Sequence, residues 1–317
     1  MNTITADSVS HRYKQVNSVE GISFSIPEGE LFGFIGPDGA GKTTLFRILA
    51  TLLIPASGKA EVNGFNVVKD YKKIRRIIGY MPGRFSLYMD LSVEENLAFY
   101  ATIFGTTIKE NYHLIKDIYS QIEPFKKRKA GDLSGGMKQK LALSCALIHK
   151  PAVILLDEPT TGVDAVSRVE FWEMLRRLKE SGICILVSTP YMDEAGLCDR
   201  VALMQNGKIM KIEQPGQVTA GYPFHLFSVS SSDIYRLITD LKDYPDVYSV
   251  YAFGQSAHLA FGEVMIDRSA LHDFLHSKGH NKIIIENIKP TIEDCFMELM
   301  TAPPLPEERG QGGKAQL

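Results

Sequence analysis

A glycine-rich segment of the chain ends in a lysine and a threonine at a spacing that suits phosphate binding. Its residues, from Gly36 to Gly41-Lys42-Thr43, match the pattern G-x-x-x-x-G-K-[ST]. Glycines allow backbone amides to turn inward around phosphates, Lys42 supplies positive charge for the β- and γ-phosphates, and the Thr43 hydroxyl can bind Mg²⁺. The sequence therefore predicts a nucleotide site that comprises Gly36, Pro37, Asp38, Gly39, Ala40, Gly41, Lys42, Thr43 and Thr44.

Two acidic residues follow another apolar run and can complete that site. Residues 153–156 are apolar and precede Asp157 and Glu158, the pattern of a buried strand that delivers carboxylates to its C-terminal end. Asp157 would bind Mg²⁺ through water, and Glu158 would act as general base toward the attacking water. Lys42 and Glu158 are therefore the predicted catalytic residues. Alone the pattern is weak, because one acid could instead cap a helix.

Alternating apolar strands and helices must position these residues. We predict buried strands at 30–36, 77–81, 153–159 and 183–190, helices at 42–53 and 165–180, antiparallel strands within 1–30, and a helical insert from about 88 to 150 that begins with a Ser-x-x-Glu capping box. This alternation indicates an α/β fold with a mostly parallel sheet covered by helices on both faces. Nucleotides bind at the carboxyl ends of such strands.

A change of composition predicts a second domain. Residues 216–223 are rich in glycine and proline and are expected to be a linker after a nucleotide-binding domain at 1–215. Residues 224–300 then alternate as strand, helix, strand, strand, helix, strand and helix, which fits a small ferredoxin-like α+β domain. The tail at 301–317 is rich in Pro, Gly and Gln and is expected to be disordered.

Charge balance and cysteine usage exclude several classes of protein. The chain has 35 basic and 37 acidic residues, so it lacks the basic excess typical of nucleic-acid binding. Its four cysteines form no CxxC pair, which indicates a reduced, intracellular protein. No apolar run reaches the ~20 residues of a membrane span, and the N-terminus has no signal-like apolar region. We therefore expect a cytosolic chain whose membrane role, if any, requires a partner.

A third motif lies between the glycine-rich loop and the two acidic residues. It reads Leu133-Ser134-Gly135-Gly136-Met137-Lys138-Gln139. With this segment, residues 3–215 resemble the ABC ATPase family, whose signature is LSGGQ before a helix. The resemblance implies a P-loop NTPase fold of the ABC type, with an antiparallel β subdomain and a helical subdomain, that uses ATP and Mg²⁺. It also implies a sandwich of two ATPase domains, in which Ser134, Gly135 and Gly136 of one domain cap the γ-phosphate held by the other. A helix start is itself a suitable anion site.

Further positions extend the resemblance. Tyr13 occupies the place of the aromatic residue that stacks on adenine in the family, although a half-buried strand tyrosine is the alternative. Asp164 corresponds to the residue of the family's D-loop that crosses the dimer interface. Residues 290–299, PTIEDCFMEL, are similar to the last helix of the drug- and antibiotic-exporting ABC-2 branch. The resemblance implies a subunit at the cytoplasmic face of the cell membrane that works, for export, with an integral-membrane permease and a second ATPase domain, identical or different.

Two residues of the family pattern are replaced in this chain. A glutamine normally follows the GY-x-P segment, where Gly83 stands here, and a histidine normally follows the strand ILVST, where Pro190 stands. In the family these residues touch Mg²⁺ and the γ-phosphate, so phosphate binding is expected to persist while fast hydrolysis is in doubt. The alternative function is an ATP-binding regulatory or partner module with weak hydrolysis. An ABC protein acting on ribosomes or DNA is disfavoured by the near-neutral charge.

Two other groups of residues allow competing interpretations. His272, His276 and His280 are spaced for one helix face, but Gly279 is expected to end that helix, which favours a polar surface over a metal site. The apolar residues within 85–89 follow the altered GY-x-P segment. Contact with a partner and internal packing are equally expected for them.

Overall fold

The first part of the chain contains two sheets and a group of helices. The computed structural model describes residues 2–262 and 267–301, and the chain divides into two compact units, Met1–Tyr222 and Pro223–Leu317. The strands of the first unit are β1 (Asn2–Tyr13), β2 (Val16–Pro27), β3 (Leu31–Ile35), β4 (Ser57–Val62), β5 (Phe65–Asn66), β6 (Ile78–Met81), β7 (Val153–Asp157), β8 (Cys184–Thr189), β9 (Arg200–Gln205) and β10 (Lys208–Glu213). Its α-helices are α1 (Lys42–Leu49), α2 (Tyr71–Ile77), α3 (Val93–Ile103), α4 (Ile108–Tyr119), α5 (Gly135–Leu147), α6 (Ala165–Glu180) and α7 (Pro215–Ala220).

A six-stranded sheet supports both chemical segments. Its strand order is β10-β9-β3-β8-β7-β6; all neighbours pair in parallel except β10, which is antiparallel to β9. Strands β3, β7 and β8 are buried along their whole length, as expected of parallel strands covered on both faces. The predicted parallel α/β sheet is confirmed. Because its strands share one carboxyl edge, the residues that follow β3, β7 and β8 meet there.

Apolar residues from this sheet, from α1 and from a second, antiparallel sheet form one core. The second sheet has the order β2-β1-β4-β5. Phe34 on β3 contacts Phe24 of β2 and Phe46 of α1, with ring centroids 5.1 and 5.8 Å away and both pairs edge to face. Such aromatic pairs add to the stabilisation from apolar burial. The core therefore fixes β3 and α1, the two elements that flank the glycine-rich loop.

Two of the helices in the predicted insert begin with capping boxes. Ser92 Oγ accepts a hydrogen bond from the Glu95 amide, and the Glu95 carboxylate accepts one from the Ser92 amide, at 3.2 and 2.7 Å. Thr107 and Glu110 repeat the arrangement at the start of α4. The predicted box at Ser92 is confirmed, and each box satisfies amides that the first helical turn leaves without partners.

The second unit has a ferredoxin-like arrangement, as predicted. Its elements are β11 (His225–Ser230), α8 (Ile234–Leu241), β12 (Val247–Phe253), β13 (Ser256–Phe261), α9 (Arg268–Ser277), β14 (Ile284–Asn287) and α10 (Ile292–Thr301). The strands form an antiparallel sheet of order β12-β13-β11-β14. Buried Asp294 of α10 bonds His258 of β13 at 2.7 Å and accepts from the Thr291 hydroxyl at 2.7 Å. The bond to His258 attaches α10 to the sheet, and the bond from Thr291 lies within the start of the helix.

Some segments differ from the sequence-based expectation. The sequence does not predict α2, in which Ile74 is the one buried residue, so no apolar stripe marks it. Helix α7 occupies most of the predicted linker 216–223, and its Val218 is 2% exposed; this segment belongs to the first unit. Apart from Thr301, the predicted disordered tail 301–317 lies outside the described residues.

Candidate functional site

Two glycines allow the loop between β3 and α1 to pass close to other backbone. A Cβ atom on Gly36 would lie 2.2 Å from the Met204 carbonyl oxygen, and one on Gly41 would lie 2.2 Å from that of Ser18. Gly41 also has φ 101°, a conformation that residues with side chains rarely adopt. The loop therefore approaches β9 and β2 only because these positions lack side chains, and this approach sets where α1 begins.

Lys42 is buried inside this loop. Its ammonium donates to the carbonyl oxygens of Gly36 and Pro37 at 2.7 and 3.0 Å, and it lies 3.8 Å from Glu158 Oε1. Burial lowers the pKa of Lys42 below its ordinary value, while the nearby carboxylates, first Glu158 and then Asp38, oppose that shift. The loop thus holds a desolvated cation, which interacts strongly with a phosphate because water screens it weakly.

Asp157 lies at the end of β7, beside the first turn of α1. Its Oδ1 accepts hydrogen bonds from the Thr43 hydroxyl at 3.1 Å and from the Ser188 hydroxyl at 2.6 Å, and the residue is 2% exposed. A carboxylate and a hydroxyl held this close are the oxygen donors that Mg²⁺ prefers. The predicted pair Thr43 and Asp157 therefore fits a magnesium ion.

Glu158 is held in an unusual backbone conformation next to Asp157. Its φ is 52°, in the left-handed region, and its amide donates to both the carbonyl and the hydroxyl oxygen of Ser188, each at 3.0 Å. Burial, reinforced by Asp157, raises the pKa of Glu158 above its ordinary value despite the opposing charge of Lys42. A carboxylate with a raised pKa accepts a proton more readily, as general-base catalysis requires.

Other predicted residues of the loop support its shape. The Thr44 side chain is buried, and its hydroxyl bonds Ser18 Oγ of β2 at 2.6 Å. The Ala40 amide donates to the Pro37 carbonyl at 3.2 Å, which closes a turn. Gly39 lies in that turn with φ 80°. Thr44 therefore anchors α1, whereas the turn exposes backbone amides at a helix N-terminus, the geometry that binds phosphates.

The signature residues begin α5 and contact the segment after Glu158. Ser134 Oγ caps the helix by accepting from the Met137 amide at 3.4 Å. Cβ atoms on Gly135 and Gly136 would lie 3.1 Å from the Gly162 carbonyl oxygen and 2.5 Å from Ser167 Oγ. The helix start is therefore packed tightly against residues 162–167 of the same chain, and glycine is required for that approach.

Comparison with known proteins identifies the family. A family model described as ABC transporter matches residues 19–161. The chain is 34% identical over 212 residues to the linearmycin resistance ATP-binding protein LnrL of Bacillus subtilis strain 168, covering 66% of this chain and 68% of that protein. The chain belongs to the ABC transporter ATP-binding family.

Two further similarities concern the second unit and the assembly. This ABC protein is 39% identical over 305 residues to the probable multidrug ABC transporter ATP-binding protein YbhF of Escherichia coli strain K12, covering 94% of this chain and 52% of that protein. It thus spans about half the length of that relative. A dimeric ATP-binding cassette solved in a post-hydrolysis state with ADP and Pi is similar over 67% of this chain and 98% of that chain, with TM-score 0.61 and 25% identity.

The two replaced family positions of this ABC protein lie beside different parts of the site. A Cβ atom on Gly83 would lie 3.2 Å from the Asp157 carbonyl oxygen and 3.7 Å from its Oδ2. Pro190 directly follows β8, where the Thr189 carbonyl accepts from the Gly36 amide at 3.3 Å. Gly83 therefore lies beside Asp157 and Pro190 lies beside the start of the glycine-rich loop, and neither residue has a polar side chain.

Two other predicted contacts with nucleotide lie at the ends of elements. Tyr13 ends β1 with 42% of its surface exposed, and its ring meets His11 edge to face at 4.8 Å between centroids. Asp164 caps α6 by accepting from the Ser167 amide at 3.0 Å, and this hydrogen bond lowers the pKa of Asp164. Tyr13 is therefore partly open to solvent, whereas the Asp164 carboxylate is already bonded to its own helix.

The sequence patterns do not single out three residues that contact this site. Ser18 bonds Thr44, Ser188 bonds both acidic residues, and Glu194 bonds the two threonines Thr160 and Thr189. Ser188 is a polar residue near the end of an apolar strand, which is a usable signal. Glu194 lies in a short 3-10 helix, Met192–Leu197, where an acidic residue normally indicates an exposed turn.

The three histidines of the second unit have separate environments. His272 and His276 lie on α9 with ring centroids 6.4 Å apart. His280 is buried and bonds Asp240 at 2.9 Å and Ser231 at 3.1 Å. Residues 2–262 and 267–301 contain no cluster of three or more His, Cys, Asp or Glu side chains that could hold a metal ion.

Proposed function

We propose that this protein binds MgATP at residues 36–44 and hydrolyses it to drive a separate membrane permease. This proposal rests on one observation: four side chains meet at one edge of the sheet, those of Lys42, Thr43, Asp157 and Glu158. Lys42 would exchange its bonds to the Gly36 and Pro37 carbonyls for bonds to the β- and γ-phosphates. Its burial means that this exchange needs little further desolvation.

Each residue of the cluster has a distinct role in the proposed reaction. Thr43 and Asp157 would hold Mg²⁺, which when bound neutralises charge on the β- and γ-phosphates. Glu158 would orient the attacking water and accept its proton, a role that suits its raised pKa. The Ser188 hydroxyl accepts from the Glu158 amide and donates to the Asp157 carboxylate. It would therefore fix the position of the proposed base relative to the proposed metal ligand.

We further infer that two ATPase domains cooperate. Helix α5 begins at three signature residues, Ser134, Gly135 and Gly136, and the amides at a helix start favour an anion. We propose that these residues bind the γ-phosphate of the ATP held by the other domain. Tyr13 would stack on adenine, and Asp164 would reach the dimer interface. A similar cassette was solved as a dimer with ADP and Pi, which supports this arrangement. The second domain can be an identical chain or a different one.

The proposed transport role is export through a permease. One similar protein is named for multidrug transport and another for linearmycin resistance. None of the helices within 2–262 and 267–301 is long and apolar enough to cross a membrane. The proposed membrane partner is a permease, which this chain would contact at the cytoplasmic face. Beside the GY-x-P segment is a cavity of about 290 Å³ whose lining is mostly apolar but includes Arg75, Gln139 and His149. Leu87 is buried there, but Tyr88 and Met89 are 51% and 46% exposed, which favours partner contact for these two.

A Glu158→Gln variant tests the proposal. Glutamine keeps the shape of the side chain but accepts no proton, so ATP should stay bound and hold two domains together. Size-exclusion chromatography with MgATP should show a dimer for Glu158→Gln and a monomer for Glu158→Gln combined with Lys42→Ala. Glu173→Gln, a change at a 55% exposed carboxylate of α6, is the matched control. A Glu158→Gln protein that binds ATP yet remains a monomer would contradict the proposed sandwich.

The replaced residues support a second candidate function. Gly83 and Pro190 offer no side-chain donor to the phosphates, so this domain would bind ATP but turn over slowly, as a regulatory module or as partner to a fully equipped ATPase domain. The intact Glu158 and Ser134 favour the first proposal. Steady-state hydrolysis by the purified protein distinguishes the two.

A further inference from the structure

A buried carboxylate outside the predicted nucleotide-binding motifs connects the loop that follows the proposed base to the end of β8. Glu194 is 1% exposed. Its Oε1 accepts from the Thr160 hydroxyl at 2.8 Å, and its Oε2 accepts from the Thr189 hydroxyl at 2.5 Å. Both threonines are themselves buried. A buried polar side chain is costly unless it is hydrogen-bonded, and the two threonine hydroxyls provide those bonds.

The two threonines belong to segments that form the nucleotide site. Thr160 follows Glu158 by two residues, and its carbonyl accepts from the Val163 amide at 3.2 Å. Thr189 pairs with Ile35 in the sheet, and its carbonyl accepts from the Gly36 amide at 3.3 Å. Glu194 therefore connects the segment that carries the base to the strand that anchors the phosphate loop.

An arginine of α6 completes this network. Arg168 Nε lies 3.7 Å from Glu194 Oε1, and another nitrogen of the same guanidinium bonds Asp193 at 2.5 Å. The guanidinium also lies over the ring of Tyr191, 5.3 Å from its centroid. Glu194 therefore contacts the segment 158–168 at two points, Thr160 and Arg168.

The conformation of Glu158 explains why such a network is needed. A residue other than glycine at φ 52° is strained, and it persists only where its surroundings hold it. Ser188 holds the Glu158 amide. Thr160, two residues after Glu158, attaches the same segment to β8 through the Glu194 carboxylate. Pro190 has neither a backbone donor nor a polar side chain, so the residue after Thr189 adds nothing to this attachment.

We propose that Glu194 is a positioning residue that holds Glu158 in place for hydrolysis without touching the nucleotide. The inference rests on the proposed function, because it assigns a role relative to the proposed base. It follows that loss of the Thr160–Glu194 bond lowers kcat and leaves nucleotide affinity unchanged, since Lys42 and the phosphate loop keep their own contacts.

Thr160→Val and Thr160→Ser form the decisive pair of variants. Valine has the shape of threonine without its hydroxyl, whereas serine keeps the hydroxyl. Thr160→Val should lower kcat roughly 10- to 100-fold with KM within about twofold, because small misplacements of catalytic groups have effects of that size. Thr160→Ser should retain most of the wild-type rate. Glu194→Gln should resemble Thr160→Val, and Glu173→Gln, at a 55% exposed carboxylate of α6 outside this network, should have no effect.

A second measurement makes the test independent of turnover. Hydrogen–deuterium exchange of residues 158–164 should be faster in Thr160→Val than in Thr160→Ser. If wild type hydrolyses ATP no faster than Glu158→Gln, the proposed function fails, and the exchange rates alone decide the role of Glu194. Equal exchange in the two Thr160 variants, or equal kcat where wild type is active, would overturn the inference.

Discussion

At the scale of single residues, four polar side chains of the proposed nucleotide site lie together, while Gly83 and Pro190 replace two residues of the family pattern. Lys42, Thr43, Asp157 and Glu158 converge within hydrogen-bonding or ion-pair distance of their neighbours. Gly83 lies close enough to Asp157 for a longer side chain there to reach a bound metal. Binding and hydrolysis should therefore respond to different substitutions, since they depend on different members of the site.

Restoring the glutamine and the histidine of the family pattern should accelerate ATP hydrolysis. Gly83→Gln combined with Pro190→His supplies a metal ligand and a donor toward the γ-phosphate. Because loss of one preorganised donor typically costs about 10²–10³ in rate, we expect a gain of at least roughly tenfold. Steady-state ATPase measurements on wild type and variant provide the test.

The alanine variants separate the chemical effect from the steric one. Gly83→Ala adds only the Cβ atom, which would lie 3.2 Å from the Asp157 carbonyl oxygen and requires a small local shift. Pro190→Ala removes the ring without adding a donor. Neither change should raise the rate. A wild type that already cycles at tens per second, with no gain in the double variant, would show that the missing donors are irrelevant.

At the scale of elements, hydrogen bonds at the helix starts help to stabilise the helical insert. Each of α3 and α4 begins with a reciprocal pair of hydrogen bonds between a hydroxyl residue and a glutamate three positions later. Such boxes stabilise a helix locally, because they satisfy amides that have no partner within it. The insert also has buried contacts such as Leu97 and Ile115, so capping is a separable contribution to its stability.

Removal of either cap should weaken the protein by a similar amount. Ser92→Ala and Thr107→Ala should each lower the free energy of unfolding by about 1 kcal/mol. Thr102→Ala is the control, because its hydroxyl bonds only the Ala98 carbonyl within an exposed helical turn. Urea unfolding followed by circular dichroism measures all three. If Thr102→Ala costs as much as the cap variants, the boxes have no special role.

Sequence patterns predict elements that carry a strong apolar or capping signal and miss those that do not. The strands β3, β7 and β8 are predictable because burial on both faces demands continuous apolar runs. Helix α2 lacks such a run, and α7 contains Pro215 and Gly216, which resemble a linker. At the site, the glycine-rich loop is recognisable from spacing. The role of Glu194 is not, since Thr160 lies 34 residues away in sequence and only the tertiary fold brings the two side chains together.

At the scale of the whole molecule, the two units have separate apolar cores. The core of the first unit contains residues of β1–β4 and the parallel sheet, while that of the second contains Leu237, Leu259 and Leu271. Units that bury their own apolar residues are able to fold independently. The boundary falls between Tyr222 and Pro223, after α7 rather than within it.

The fragment 1–222 should fold alone and bind nucleotide as the full chain does. Every residue of the proposed site lies in this fragment, so its affinity for a fluorescent ATP analogue should stay within about threefold, or less than about 1 kcal/mol. A fragment ending at 218 removes the last turn of α7 around buried Val218, and it should unfold at a lower temperature than 1–222. Titration and thermal unfolding of both fragments beside the full chain give the comparison. A large loss of affinity or of soluble protein in 1–222 would show that the nucleotide site depends on the second unit. Equal stability of the two fragments would show that residues 219–222 contribute nothing to the first unit.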